Sequence, residues 1–100
     1  MTSEEMVAAH EFCISHNVEM SFLYSLSEAG LLEVTTVEET VFIKQDHLSE
    51  LEKFIRLHYD MEINLEGIEA IHHLLQQIRV MQEEMKTLRN RLSLYETVDL

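Results

Sequence analysis

The chain contains no proline, no tryptophan, only two glycines and a single cysteine. With Gly30 and Gly67 as its only strong breakers, no stretch reads as a flexible linker, a low-complexity tract or a repeat, so regular structure is expected along its length. Lone Cys13 excludes an internal disulfide. It sits between Phe12 and Ile14, where a thiol acts as a small core side chain, and His10 and His16 on either side are only loose candidates to activate it. Long apolar runs are missing too. Apolar residues make up 46% of the sequence, yet nothing approaches the roughly 20 uncharged residues of a membrane span. The start, Met1-Thr2-Ser3-Glu4-Glu5, has neither the positive charge nor the apolar run of an export signal. A soluble, cytoplasmic protein is the expectation. A length of 100 residues leaves room for one core and a helical extension.

Positive charge is the most telling deficit. The chain has 19 acidic and 7 basic residues, a formal charge of −12, and from Met1 to Ile43 there is no Lys or Arg at all. Glu11, Glu19, Glu28, Glu33, Glu38 and Glu39 fall in that span, and every cation lies at Lys44 or beyond. Affinity for nucleic acid rests largely on Lys and Arg contacts to phosphate, so the anionic half of the chain is expected to repel a duplex. It suits a cationic polypeptide instead.

No constellation for catalysis is visible. No glycine loop cradles a phosphate, and the many carboxylates mark no pair as an acid and base. His72 and His73 are adjacent, so on a helix they point about 100° apart and cannot share one ion. The expectation is a protein that is not an enzyme and uses no metal or cofactor.

Apolar spacing then divides the chain. Residues from about Val7 to His16 read as a short helix, with Asn17 suited to a turn or cap. A second helix is predicted from Glu19 to Ala29, with Met20, Leu23, Tyr24, Leu26 and Ala29 at helical spacings and Gly30 ending it. Together they form a helix-turn-helix candidate. Residues 31–43 are rich in Val, Thr and Ile, and Leu32–Val34 with Thr40–Phe42 are predicted to pair as a small hairpin that leans on the helices. A third helix should begin at Gln45 or Asp46, turn Leu48, Leu51, Phe54, Ile55 and His58 inward, and end near Asp60.

Asn64 is a good N-cap for a long fourth helix. From there the apolar residues Ile71, Leu74, Ile78, Met81, Met85, Leu88, Leu92 and Tyr95 recur at alternating intervals of three and four, an unbroken heptad seam. A rod of on the order of 45 Å is more than a domain this small can cover, so the seam predicts a homodimer, in an orientation the seam alone leaves open. Arg79, Glu83, Glu84, Lys86, Arg89 and Arg91 nearly balance the charge around it. A division of labour follows: residues 1–62 as a head for the client, residues 63–100 as a dimerisation helix.

A helix-turn-helix closing on Glu28-Ala29-Gly30-Leu31-Leu32, then a short wing, a third helix and a long heptad helix, resembles the MerR-like winged helix-turn-helix architecture over nearly the whole chain. The expected fold class is therefore mainly α, with a small β-hairpin wing. Within that class, the string Arg56-Leu57-His58-Tyr59-Asp60-Met61-Glu62-Ile63-Asn64-Leu65-Glu66-Gly67-Ile68 resembles the chaperone modulator CbpM family. MerR regulators usually carry an arginine followed by aromatics in the second helix, and counting back from Gly30, Tyr24 stands in that arginine's place. No cysteine follows Cys13, which disfavours metal sensing. The resemblance implies a modulator that binds the J-domain of a DnaJ-like, CbpA-type co-chaperone and restrains its co-chaperone and DNA-binding activities. A MerR-like transcriptional regulator that binds DNA is the alternative. A J-domain presents a basic helix, so the partner-binding candidates are Glu11, Glu19, Glu28, Glu33, Glu38 and Glu39, with Tyr24 as an anchor if it is exposed.

Overall fold

The computed structural model describes residues 5–98, with side chains through Glu96. The amino-terminal residues 1–4, on which the export reading partly rests, lie outside the described residues. The elements run β1 (Met6–Ala8), α1 (Ala9–His16), α2 (Met20–Glu28), β2 (Thr35–Val37), β3 (Thr40–Lys44), a 3-10 turn (Gln45–His47), α3 (Leu48–Ile55), a π turn (Arg56–Asp60) and α4 (Leu65–Val98). This is the mainly helical, winged helix-turn-helix architecture expected from the sequence.

Two caps make the helix-turn-helix compact. At the end of α1, the Val18 N–H donates to the Cys13 carbonyl at 2.9 Å and the Asn17 N–H to the Ile14 carbonyl at 3.3 Å, with Asn17 left-handed at φ 60. At the end of α2, Leu31 bonds back to Leu26 at 2.9 Å and Gly30 to Ser27 at 3.1 Å, with Gly30 at φ 79. Both are paired six-to-one and five-to-two closures that use a residue tolerant of the left-handed region. Ala9, Phe12 and Cys13 of α1 and Phe22, Leu23 and Leu26 of α2 are thereby turned into one core with Leu32, Ile43, Leu51, Phe54 and Ile68.

Three boundaries differ from expectation. The chain before Ala9 is not helix: Met6–Ala8 pairs antiparallel with β3, Val7 opposite Ile43, and gives the order β1-β3-β2. A two-stranded ribbon is marginal in water, and this third strand lets Ile43 sit fully buried at its centre. The first strand of the hairpin is Thr35–Val37, not Leu32–Val34. A two-residue turn at Glu38 and Glu39 places Val37 opposite Thr40, and that register leaves Leu32 free to enter the core. The third helical stretch is one run in sequence but three in geometry: the 3-10 turn, α3, and a π turn in which the Met61 N–H donates to the Arg56 carbonyl at 3.2 Å. Leu51 and Phe54 are buried as expected, with Leu48, Ile55 and His58 half-buried around them.

Asn64 caps α4 as anticipated: its side-chain oxygen accepts the Gly67 N–H at 2.9 Å. The described residues form two compact units that meet between Glu69 and Ala70, within α4. No helix among the described residues is long and apolar enough to cross a membrane.

Candidate functional site

The candidate surface is built on the outer side of the helix-turn-helix. Helix α2 buries Phe22, Leu23 and Leu26, so its other face exposes Ser21, Tyr24 and Glu28 at helical spacing. That face has one carboxylate and no cation. Tyr24 is 48% exposed, a surface side chain and not part of the core. Its ring stands where it can meet a partner, with an apolar body and a polar tip.

A groove of about 480 Å³ opens between α1, α2 and the wing, lined by Ala8, His10, Glu11, Met20, Tyr24, Glu39, Thr40 and Val41. Three of the sequence candidates, Glu11, Tyr24 and Glu39, therefore share one cavity although they come from three elements. The wing tip delivers Glu39 by an uncommon route. Glu38 and Glu39 both have positive φ, 49 and 67, in a two-residue hairpin turn where Asn-Gly is the unstrained choice.

The other candidates are dispersed. Glu19 lines an adjoining cavity with His10, Cys13, Ile14, Asn17, Val18, Met20 and Tyr59, which shares His10 and Met20 with the first. Glu33 lies elsewhere, in a cavity with Gly30, Leu31, Leu32, His47 and Glu50. Glu28 and Glu38 are exposed and line none of these three cavities. Sequence reasoning passed over His10, Met20, Val41 and Tyr59 as lining residues. Ile14, grouped with Phe12 and Cys13 as apolar, is in fact 68% exposed, because the α1 face that buries its two neighbours turns it outward. The available signal was the α1 pattern itself, in which His10, Glu11 and Ile14 fall on the side opposite Phe12 and Cys13.

Cys13 is 3% exposed, and burial pushes its thiol above the ordinary cysteine range. Its S–H points to the Met20 sulfur at 3.4 Å. This is a packing thiol, not an activated one. Two histidines serve local structure. His16 stacks on Phe12 with centroids 3.9 Å apart, and His58 stacks on Phe22 at 4.4 Å. Since a carbonyl only accepts, Nδ1 of His58 carries the hydrogen it donates to Ile63 O at 2.9 Å. Among the described residues no three His, Cys, Asp or Glu side chains gather as a metal site.

The heptad residues of the second unit lie open. Leu74, Ile78, Met81, Met85, Leu88, Leu92 and Tyr95 are all exposed, from 46% at Ile78 to 72% at Tyr95, and only Ile71 is half-buried. Val80 and Leu94 add exposed apolar area off the seam.

The profile of the family described as MerR HTH family regulatory protein matches residues 7–90. Similar curated proteins are named chaperone modulatory protein CbpM, from Escherichia coli O1:K1 / APEC, from Escherichia coli O45:K1 (strain S88 / ExPEC) and from Escherichia coli O139:H28 (strain E24377A / ETEC). Each is 26% identical over 84 residues, which cover 83% of this chain and 83% of the relative. No solved structure gives a significant match.

Proposed function

The chain belongs to the MerR helix-turn-helix regulatory family, and from that premise we propose that it is a chaperone modulator whose client is a protein, not a duplex. In this reading the head captures the J-domain of a DnaJ-like, CbpA-type co-chaperone and restrains both its cooperation with the DnaK chaperone and its DNA binding. The name borne by its relatives supports the coarser part, a chaperone-modulating role.

One observation carries the finer part. The helix that reads bases in a helix-turn-helix protein here exposes Ser21, Tyr24 and Glu28, and the groove beside it is rimmed by Glu11 and Glu39. Duplex phosphate would be repelled there, while the basic helix of a J-domain would be steered in. Glu19, Glu28, Glu33 and Glu38 extend the anionic field around the groove.

The exposed heptad seam favours a homodimer through α4. Seven apolar positions, Leu74 through Tyr95, are exposed along one seam and need cover. Met81→Glu together with Leu88→Glu should convert the dimer to monomer in sedimentation velocity runs while far-UV circular dichroism keeps its helical signal; an unchanged sedimentation coefficient argues against the seam.

The decisive titration measures binding of the purified protein to the isolated J-domain and to mixed-sequence duplex, both at low salt, where charge effects are largest. J-domain binding that weakens as salt rises, with no shift on duplex, is the expected result. Sequence-selective duplex binding without J-domain binding would replace this reading with that of a DNA-binding regulator.

A further inference from the structure

The groove between α1, α2 and the wing has the composition of a receptor for one kind of side chain. Its floor is apolar, from Ala8, Met20 and Val41. Its rim holds two carboxylates, Glu11 and Glu39, and an exposed aromatic ring, Tyr24, while its remaining titratable group is His10. No Lys or Arg lines it. A neutral apolar occupant would leave two carboxylates partly desolvated, and an anion would be repelled by them. A metal ion would find two carboxylates and one imidazole of an open groove with no gathered ligand set. A long cationic side chain satisfies every wall at once, since its methylene stem lies on Met20 and Val41, its head donates charge-assisted hydrogen bonds to the carboxylates, and Tyr24 offers a ring face.

The neighbouring cavity adds a constraint on what flanks that side chain. It shares Met20 and His10 with the first and presents Ile14, Val18 and Tyr59. That lining is mainly apolar, with Glu19 at the edge.

We infer that this pair of cavities is the specificity site for the partner: an arginine or lysine enters the groove among Glu11, Tyr24 and Glu39, and an apolar residue of the same amphipathic segment docks beside it against Ile14, Val18 and Tyr59. The inference rests on the proposed capture of a cationic polypeptide and narrows it from the whole anionic head to one side of it. The strained turn at Glu38 and Glu39 fits that role, because it is held left-handed at both residues where the site needs Glu39 at the rim.

The test uses the full-length protein and a helix-stabilised peptide with one arginine among leucines and glutamines, beside a twin in which citrulline replaces the arginine, keeping its shape and losing its charge. Fluorescence anisotropy at low salt should show the arginine peptide binding about tenfold tighter or more. Glu11→Gln with Glu39→Gln should erase that preference, and Tyr24→Leu should reduce it. Glu66→Gln with Glu69→Gln, which removes the same charge from exposed positions outside the groove, should leave it nearly intact. Equal losses from the two charge-matched pairs would mean a diffuse field and would overturn the groove, as would equal binding of the citrulline twin. The same variants are then tried against an isolated J-domain. J-domain binding without any arginine preference sinks the groove alone. An arginine preference with no J-domain binding sinks the modulator reading and leaves the groove standing.

Discussion

The Tyr59 hydroxyl accepts a hydrogen bond from the backbone N–H of Glu19 at 3.2 Å, tying the π turn to the first residue before α2 across 40 positions of sequence. The same π turn brings the Tyr59 ring edge-on to Phe22, with centroids 5.6 Å apart, while neighbouring His58 stacks on Phe22 from 4.4 Å. A regular α-turn would separate His58 and Tyr59 by about 100°. The wider turn lets both reach one phenyl ring, a use of π geometry seen often at functional sites.

Tyr59→Phe keeps the ring contact and removes the acceptor. A loss of about 0.5–1 kcal/mol is expected in urea denaturation, at the low end because Tyr59 is partly exposed. Hydrogen exchange at Glu19 should rise more than at Leu26. Unchanged exchange at Glu19 would show that the bond does not hold the start of α2.

Gly67 lies within the first turn of α4, where helix propensity alone favours alanine by about 1 kcal/mol. Space decides the other way. A Cβ there would stand 2.6 Å from Ile63 Cγ2 and 3.2 Å from the Asn64 oxygen that caps the helix. Ile63 is β-branched and stiff, so it cannot swing aside cheaply. Gly67→Ala should therefore lower stability by about 1–2 kcal/mol, of the same order as losing the cap in Asn64→Ala. Thermal melts of the two variants check this, and a stabilised Gly67→Ala would refute the contact.

The wing tip offers a separation of stability from binding. Replacing Glu38 and Glu39 by Asn-Gly puts preferred residues at two left-handed positions and should stabilise the protein by about 1–2 kcal/mol. If Glu39 forms the rim of the partner's site, the same change weakens partner binding. A variant both more stable and equally tight would remove Glu39 from the site.

Burial raises the Cys13 pKa, so the folded state favours the neutral thiol. Its contribution to stability is complete below the unfolded thiol's pKa and is lost as pH rises through and above that range. The native protein should consume a thiol reagent slowly at neutral pH and at a rate that follows unfolding, and it should lose stability as pH rises above the unfolded thiol's range. Reaction at the rate of a free thiol at pH 7 would contradict the burial.

Much of this was legible in advance because it is local. The spacing of Met20, Leu23 and Leu26, the Asn17 and Gly30 caps, the Asn64 cap and the α4 seam each depend on residues a turn or two apart, so a period or a single cap residue reveals them. The missing cations before Lys44 could likewise be read directly.

What only tertiary structure decided is long-range pairing. Three residues, Met6–Ala8, are too few for any period to tell strand from helix, and they became β1 because β3 needed a second neighbour. Likewise, Glu11, Tyr24 and Glu39 are scattered by sequence and joined by the fold. Side-chain periodicity predicts which face of its own element a residue occupies, but the groove exists only where α1, α2 and a hairpin of set register are brought against one core, and the free energy for that comes from burying residues distant along the chain.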